Sequence, residues 1–257
     1  MLSKNKIKLI TSLAIKKHRD ATALFIAEGD KCVTTLLSAC HCVTLVATPE
    51  WLFAHPAVQA DEIFSLPTSQ DIKKISTLTT PAPVLALFQQ KQSVLCMPGL
   101  ADELVLFLDT IQDPGNLGTI VRIADWFGIH HIVCTPTTAD IHSPKAIQAT
   151  MGAYAHVSLH YAEPETFFTA YAAAHLHNPI YGTFLDGDDI RQVPLVPHGI
   201  IVMGNEGNGI STALERYVTQ RLFIPSYAAE GTTSESLNVA VATGIACYEF
   251  RRRLSSK

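Results

Sequence analysis

The chain has 257 residues, of which 47% are hydrophobic and 16% charged, with a formal net charge of −4. This composition is typical of a compact α/β protein and excludes an intrinsically disordered chain. The length suits one large domain or two modest ones, and we predict two. Uncharged apolar runs stay shorter than the roughly 18 residues that span a bilayer, so we expect a cytoplasmic protein without a membrane segment.

The first 90 residues alternate between helical and strand patterns, which predicts a small α/β sandwich. Pro98 and Gly99 interrupt this pattern. We therefore place a domain boundary there, with one domain at residues 1–98 and a second at 103–257. The predicted elements of the first domain are a helix over 7–20, a strand over 23–29, a helix over 30–39, strands over 42–48 and 61–67, a helix over 71–78 and a strand over 83–89.

The basic residues are concentrated at the two ends of the chain. Ten of the 19 Lys and Arg residues lie within residues 1–19 and 251–257, whereas all 23 acids lie between these segments. Localised cations are the usual footprint of a phosphate-binding surface. We favour an RNA contact for the N-terminal cluster; for the run from Arg251 to Arg253, a solvated helix end is an equally good interpretation.

The six cysteines lie mostly in apolar stretches, as small buried residues do in a reducing compartment. The sequence Cys40, His41, Cys42 could suggest zinc, but a second ligand pair at suitable spacing is missing. We therefore predict neither disulfides nor a metal site.

The second half alternates strands and helices with short links, which is typical of a parallel sheet covered on both faces. Ligands of such sheets bind beyond the carboxyl ends of the strands. Three segments rich in Gly, Asn, Glu and Ser follow predicted strands at that edge. The predicted strands are 104–109, 129–134, 155–159, 180–184, 199–204 and 221–225, and the predicted helices are 119–127, 143–152, 164–177, 211–218 and 236–253.

The first segment, LDTIQDPGNLGTIVRIADWFG, covers residues 108–128. Pro114 holds Asp113 out of the helical region, and we expect the following glycines to lie in a turn before the helix starts. Asn116 is interpreted equally well as a helix cap or as a site residue. Arg122 lies off the apolar stripe and near the expected helix N-terminus, which indicates an anionic partner, although a surface salt bridge is the alternative.

The second segment, GIIVMGNEGNGIS, covers residues 199–211 and runs from a strand into a turn of three glycines around Glu206. The acid suits a hydroxyl or amine and would repel phosphate. The spacing matches neither a dinucleotide fingerprint nor a P-loop. An uncharged or cationic ligand with ribose hydroxyls, such as S-adenosylmethionine, therefore fits better.

The third segment, IPSYAAEGTTSESLNVAVATG, covers residues 224–244. Ser236 is placed to cap the last helix, and capping alone would explain it. Asn238 is expected inside the first turn of that helix, where Asn is a poor helix former. A role in a site is therefore the better interpretation of Asn238.

The order and spacing of the three segments resemble the signature motifs of the SpoU (TrmH-like) family of RNA 2′-O-ribose methyltransferases. The N-terminal pattern of Lys16, Lys17 and Arg19, followed by an apolar strand and the pair Glu28 and Gly29, is similar to the L30e-like substrate-binding domain of many SpoU proteins. The resemblance implies S-adenosyl-L-methionine as cofactor, RNA as partner, a SPOUT-type trefoil knot in the C-terminal domain, and a homodimer whose active sites use residues of both subunits.

The resemblance also implies individual site residues. The implied catalytic residues are Asn116, Arg122, Glu206, Ser236 and Asn238, and the implied cofactor-binding residues are Met203, Gly204, Gly209, Ile224, Ser236, Leu237 and Asn238. The connection from Pro225 to Ser236 is longer than the family pattern, which leaves Ser234 as a substitute for Ser236. A guanidinium with a pKa above about 12 is a poor base, so we expect Arg122 to hold an RNA phosphate.

Ribosomal RNA, and 23S RNA in particular, is the favoured substrate because the N-terminal domain resembles a ribosomal-protein-like binder. The alternatives are a transfer RNA 2′-O-methyltransferase, a catalytically silent RNA-binding relative, and a small-molecule enzyme of the doubly wound class.

Overall fold

The computed structural model describes residues 2–174, 178–228 and 236–252. The chain divides into two compact units, Met1–Gln92 with Asp140–His156, and Ser93–Ala139 with Val157–Lys257. A short segment from the second half of the sequence therefore belongs to the N-terminal unit. None of the described helices combines the length and apolar character needed to cross a bilayer.

The α-helices are α1 (Lys4–Ser12), α2 (Lys16–Thr22), α3 (Asp30–Leu37), α4 (Pro49–Ala54), α5 (Ser69–Ile72), α6 (Pro114–Trp126), α7 (Pro144–Thr150), α8 (Pro164–Ala174), α9 (Thr212–Glu215) and α10 (Val239–Arg252). The strands are β1 (Leu24–Glu28), β2 (Cys42–Ala47), β3 (Glu62–Ser65), β4 (Val84–Gln89), β5 (Leu104–Leu108), β6 (His131–Cys134), β7 (Ser158–Tyr161), β8 (Ile180–Asp189), β9 (Gly199–Met203) and β10 (Gln220–Phe223).

The N-terminal unit contains a four-stranded mixed sheet in the order β1-β4-β2-β3. Strand β4 pairs antiparallel with β1 and β2, and β3 pairs parallel with β2 at the edge. Apolar residues of α1, the sheet and the α5 region form its core: Ile10, Leu13, Ile26, Val46, Ile72, Ile75, Leu85 and Leu87. The predicted α/β sandwich is found, with α4 as a helix that the periodicity did not reveal.

The single helix predicted over residues 7–20 is wrong, because the chain breaks between α1 and α2. Arg19 explains how the break is stabilised. Its Nη1 donates to the carbonyl oxygens of Leu13 at 2.7 Å and Ala14 at 2.9 Å, and its Nη2 donates to Asp140 Oδ2 at 2.7 Å. The guanidinium thus satisfies carbonyls that a continuous helix would have bonded internally.

The N-terminal basic cluster is therefore smaller than predicted. Arg19 is only 3% exposed, so it cannot belong to an RNA-binding surface. Lys6 forms an ion pair with Glu62, and Lys16 with Asp20. The exposed Lys4, Lys8 and Lys17 remain as the cations of this cluster that have no side-chain partner among the described residues.

The imidazole of His142 is enclosed in the N-terminal unit, with its side chain 16% exposed. His142 Nε2 lies 2.8 Å from the Tyr154 hydroxyl, and its ring packs against Phe25. Burial, with a smaller contribution from Arg19, lowers the pKa of His142 from 6.5 to about 4, although Asp140 acts in the opposite direction. The neutral imidazole is thus favoured in the folded state, and the unfolded chain takes up the proton first as the pH falls.

We expect the His142 contribution to the free energy of unfolding of this unit to be retained near pH 7.5, and this free energy to fall by about 2 kcal/mol as the pH is lowered from 7.5 to 5. Urea unfolding followed by the fluorescence of the buried Trp51 measures this change. His142→Gln should flatten the pH dependence in that window, whereas His130→Gln, at an exposed histidine, should retain it. An unchanged pH dependence in His142→Gln would contradict the assignment.

The second unit contains a six-stranded sheet in the order β10-β8-β9-β5-β6-β7, and all of its strand pairs are parallel. Every residue of β5 and β9 is buried, as expected for central strands covered on both faces. The predicted α/β fold with a C-terminal parallel sheet is confirmed. The strand predicted over 155–159 begins only at Ser158, because residues Ala153–Ala155 form a 3₁₀ turn.

Candidate active site

The three polar segments follow β5, β9 and β10, whose carboxyl ends lie at one edge of the parallel sheet. The second and third segments wall a cavity of about 530 Å³, which is within the usual size range of small-molecule sites. Its lining residues are Thr183, Phe184, Leu185, Met203 to Ile210, Glu215, Arg221, Phe223, Ile224, Ser236, Leu237, Val239 and Ala242.

The loop after β9 folds back on itself. The backbone N–H and C=O of Asn205 pair with those of Gly209, both at 2.9 Å. Gly209 adopts φ +68°, a left-handed conformation that glycine reaches without strain. A Cβ on Gly204 would lie only 2.3 Å from the carbonyl carbon of Gly209, so this close backbone approach requires glycine.

A chain of hydrogen bonds joins the three segments. Asn116 Nδ2 donates to Glu206 Oε1 at 2.6 Å, and Asn238 Nδ2 donates to Asn116 Oδ1 at 3.1 Å. Asn116 thus uses both ends of its amide, which fixes the amide orientation. The structure brings these three predicted catalytic residues together, although they lie up to 122 positions apart in the sequence.

The expected position of the glycines in the first segment is wrong. Helix α6 begins at Pro114, so the glycines lie inside the helix rather than in a turn before it. The cap is Asp113, whose Oδ1 accepts from the backbone N–H of Asn116 at 2.9 Å. The side chain of Asn116 is therefore not needed as a cap and is available to the site.

Arg122 lies in the second half of α6 rather than near its N-terminus. The helix-dipole argument for an anionic partner is therefore wrong. Its side chain is exposed and makes no hydrogen bond or ion pair with the described residues, so the alternative of a surface salt bridge finds no support in this part of the chain. Arg122 and Trp126 stand one helical turn apart on the same face of α6.

In the third segment, Asn238 rather than Ser236 caps the last helix. Asn238 Oδ1 accepts from the backbone N–H groups of Ala240 at 3.0 Å and Val241 at 3.3 Å, and α10 begins at Val239. One amide side chain thus caps α10 and contacts Asn116. Ser236 is exposed at the cavity wall, and Ser234 lies outside the described residues.

The predicted cofactor-binding residues lie at this cavity with one exception. Met203, Gly204, Gly209, Ile224, Ser236 and Leu237 line it, whereas Asn238 does not. Sequence reasoning missed one side of the cavity. There, the guanidinium of Arg221 lies 3.6 Å from the ring centroid of Phe184 and pairs with Asp186 and Glu215. The strand pattern of RLFIP gave no signal that Arg221 faces a cavity.

No group of three or more His, Cys, Asp or Glu residues within the described ranges is arranged to hold a metal ion. The site instead offers a carboxylate, two amides and an apolar wall. Such a set can orient a hydroxyl and enclose an adenine-sized ring by burial and backbone contacts.

The chain matches two protein families in sequence. Residues 103–248 match the SpoU rRNA Methylase family, and residues 4–86 match the MRM3-like substrate binding domain. The 23S rRNA (guanosine(2553)-2′-O)-methyltransferase RlmP of Bacillus subtilis is 27% identical over 96% of each chain.

Solved structures of similar chains have the same fold. A protein from Porphyromonas gingivalis, described as an RNA methyltransferase of the TrmH family, is 42% identical and covers 98% of this chain and 99% of its own, with a TM-score of 0.88. An AdoMet-bound rRNA methyltransferase from Sinorhizobium meliloti is 32% identical and covers 100% of this chain and 97% of its own, with a TM-score of 0.84. The family predicted from the three polar segments is confirmed: this chain is a member of the SpoU rRNA methylase family.

Proposed function

We propose that this SpoU methyltransferase methylates a ribose 2′-hydroxyl of 23S ribosomal RNA. S-adenosyl-L-methionine is the methyl donor. The observation that carries the proposal is the hydrogen-bonded chain of Glu206, Asn116 and Asn238 beside the cavity. A protein that only bound RNA would have no need of this constellation, which argues against the catalytically silent alternative.

The cavity fits the methyl donor. Gly204 and Gly209 line the cavity without side chains that would fill it, and Met203, Ile224 and Leu237 provide apolar surface for an adenine ring. Arg221 is paired with two carboxylates, and Glu206 is the acid at the loop centre, so a cationic ligand is not repelled. S-adenosylmethionine, when bound, supplies a methyl group activated by its sulfonium charge.

The residues of the chain position the nucleophile for in-line transfer. Asn116 holds Oε1 of Glu206, and Oε2 of Glu206 has no hydrogen bond to the described residues, so it can accept from the ribose 2′-hydroxyl. Arg122 holds the phosphate beside the target ribose, because a guanidinium binds phosphate oxygens in a bidentate manner and is a poor proton acceptor. Ser236 and Asn238 complete the site. As the bond between the ribose oxygen and the methyl carbon forms, the bond from that carbon to the sulfonium sulfur breaks, and the hydroxyl proton leaves to solvent. Most of the rate gain then comes from orientation.

Relatives favour ribosomal over transfer RNA. RlmP, whose name gives 23S rRNA as its substrate, aligns over nearly the whole chain. A structure concerned with 2′-OH methylation of C/U34 on tRNA covers only 61% of this chain at 25% identity and a TM-score of 0.51. The match of residues 4–86 to a substrate-binding domain supports an RNA contact by the N-terminal unit, where Lys4, Lys8 and Lys17 are exposed.

The first experiment incubates the protein with methyl-labelled S-adenosylmethionine and separate pools of unmodified ribosomal and transfer RNA, and then analyses the nucleosides. We expect 2′-O-methyl label in 23S RNA. Label only in transfer RNA would establish the alternative substrate. Cofactor binding without transfer to naked RNA would require the same assay on ribosome assembly intermediates, and an absence of cofactor binding would refute the proposal.

The protein is also proposed to act as a homodimer through α10 and α6. Val241, Ile245 and Tyr248 lie on one face of α10 and are 52%, 36% and 56% exposed. Trp126 is 85% exposed on α6, which packs against α10. Contiguous exposed apolar surface of this kind marks an interaction site. A second copy covering it would lie beside Arg122, which agrees with an active site built from both subunits.

We expect Tyr248→Glu to weaken the dimer about 100-fold or more, because it places a charge in the apolar interface. Sedimentation velocity at low micromolar concentration should then show one chain where the wild type shows two. Phe53→Glu is a matched control, since Phe53 is 90% exposed but belongs to the N-terminal unit. Equal behaviour of both variants would rule out this face as the interface.

Three finer features remain proposals. The domain limits of 1–98 and 103–257 are supported by the family matches over 4–86 and 103–248, whereas Asp140–His156 packs within the N-terminal unit. The proposal of a trefoil knot is supported by membership of the family, since residues 229–235 between β10 and α10 lie outside the described residues.

A cytoplasmic location is supported by a ribosomal RNA substrate and by the buried cysteines Cys32, Cys42, Cys134 and Cys247.

A further inference from the structure

Thr110, directly after β5, has an unusual backbone conformation. Its φ is +57°, in the left-handed region, where a β-branched residue is strained. Strain of this kind persists only where the surroundings hold it, and it tends to occur at functional sites. Hydrogen bonds from neighbouring residues stabilise this conformation of Thr110, and Thr110 in turn forms a hydrogen bond to the loop after β9.

Thr135, directly after β6, holds the Thr110 backbone. Its Oγ1 accepts from the Thr110 N–H at 2.9 Å, and Thr135 is only 4% exposed. The Thr110 hydroxyl lies 2.8 Å from that of Thr137 and 3.1 Å from Asp109 Oδ1. The loss of this acceptor would leave a partly buried backbone N–H without a partner, which is costly, so the threonine cluster opposes relaxation of Thr110 to a negative φ.

The strained residue in turn holds the loop that carries Glu206. The Thr110 carbonyl accepts from Asn205 Nδ2 at 2.8 Å. Asn205 Oδ1 accepts from the backbone N–H groups of Gly207 at 2.9 Å and Asn208 at 3.1 Å, on the far side of Glu206. The end of the loop is fixed to the same strand terminus, since Asp109 Oδ2 accepts from the Ser211 N–H at 2.7 Å.

We propose that Thr135 is a positioning residue for Glu206 and for the cofactor wall, and that it acts through the strained backbone of Thr110 and the side chain of Asn205. Thr135 is not among the residues that line the cavity. The direction of the Thr110 carbonyl depends on its left-handed φ, and without the Thr135 acceptor that carbonyl turns away from Asn205. The inference rests on the proposed function for its catalytic consequence, but the structural coupling is testable without RNA.

Thr135→Val keeps the shape of the side chain and removes the acceptor. We expect the amides of Gly207 and Asn208 to exchange at least about tenfold faster in hydrogen exchange without cofactor, and the Kd for S-adenosylmethionine to rise about tenfold in calorimetry. Thr135→Ser keeps the hydroxyl acceptor and should therefore retain the wild-type exchange rates and the wild-type Kd. The matched control is Thr150→Val, because buried Thr150 accepts a backbone N–H from Gly152 in the N-terminal unit. It should leave both values within about twofold.

A second variant separates positioning from general destabilisation. Glycine populates positive φ freely, so Thr110→Gly in the Thr135→Val background removes the tendency of residue 110 to relax. The double variant should bind S-adenosylmethionine more tightly than Thr135→Val alone, a rescue that a merely structural role of Thr135 would not give. Two results would overturn the proposal. One is a wild-type rate of hydrogen exchange at Gly207 and Asn208 in Thr135→Val, and the other is a double variant that binds S-adenosylmethionine no more tightly than Thr135→Val. If the wild type failed to bind S-adenosylmethionine, the proposed function would fall, while loop exchange would still decide the role of Thr135.

Discussion

Replacing Arg122 by lysine is expected to lower the rate of methyl transfer about 100-fold, and replacing it by alanine about 1,000-fold, while the S-adenosylmethionine affinity stays within about twofold of the wild type. Arg122 is exposed on α6 and makes no hydrogen bond or ion pair with the described residues, so the substitution removes nothing that stabilises the fold in that part of the chain. Arg122 also lies outside the lining of the cavity proposed to hold the cofactor. A lysine keeps the charge but cannot bind a phosphate with two parallel hydrogen bonds.

Single-turnover methyl transfer to 23S RNA fragments measures the effect on the rate, and calorimetric titration of S-adenosylmethionine measures the effect on cofactor affinity. Arg216→Lys is the matched control, since Arg216 is another exposed arginine of the same unit that lies outside the cavity lining. It should transfer methyl groups at the wild-type rate. Near-native turnover of Arg122→Lys would show that the bidentate phosphate contact is not the role of this residue.

Much of the second unit could be predicted from sequence because its central strands are buried on both faces. Such strands appear as short, uninterrupted apolar runs, as in LVLFL and GIIVM. The break between α1 and α2 could not be predicted in this way. It depends on the Arg19 guanidinium, which binds the freed carbonyls of Leu13 and Ala14 and is itself held by Asp140, 121 positions away.

In the candidate site, too, the features that depend on contacts between residues distant in sequence could not be predicted. The sequence placed the three polar segments at one edge of the parallel sheet, and the family resemblance, rather than any local pattern, singled out Asn116, Glu206 and Asn238 within them. Local patterns could not assign the cap of α10, since Ser236 and Asn238 are both good capping residues and only the contact with Asn116 fixes the choice. The sequence pattern predicts that α6 starts at residue 119, whereas it starts at Pro114, so Arg122 lies farther from the helix N-terminus than predicted. The part played by Thr135 depends on a strained backbone, which no sequence pattern reports.

Gly204→Ala is expected to abolish measurable S-adenosylmethionine binding, with a loss of affinity of about 100-fold or more. The added Cβ would lie 2.3 Å from the carbonyl carbon of Gly209 and 2.4 Å from the nitrogen of Ile210. Both are backbone atoms, so no flexible side chain can move aside. The loop must open, and it then loses the paired hydrogen bonds between Asn205 and Gly209 that shape this wall of the cavity.

Gly207→Ala provides a control within the same loop. A Cβ at Gly207 would meet only Asn205 Oδ1, at an ordinary contact distance of 3.5 Å, and Gly207 does not have a positive φ. This variant should therefore bind S-adenosylmethionine within about threefold of the wild type, because neither a clash nor backbone strain accompanies the added methyl group. Calorimetry on both variants, with circular dichroism to verify folding, tests the pair. Equal affinities of the two variants for S-adenosylmethionine would contradict this prediction. They would show that the loop can open at Gly204 without impairing the binding of S-adenosylmethionine.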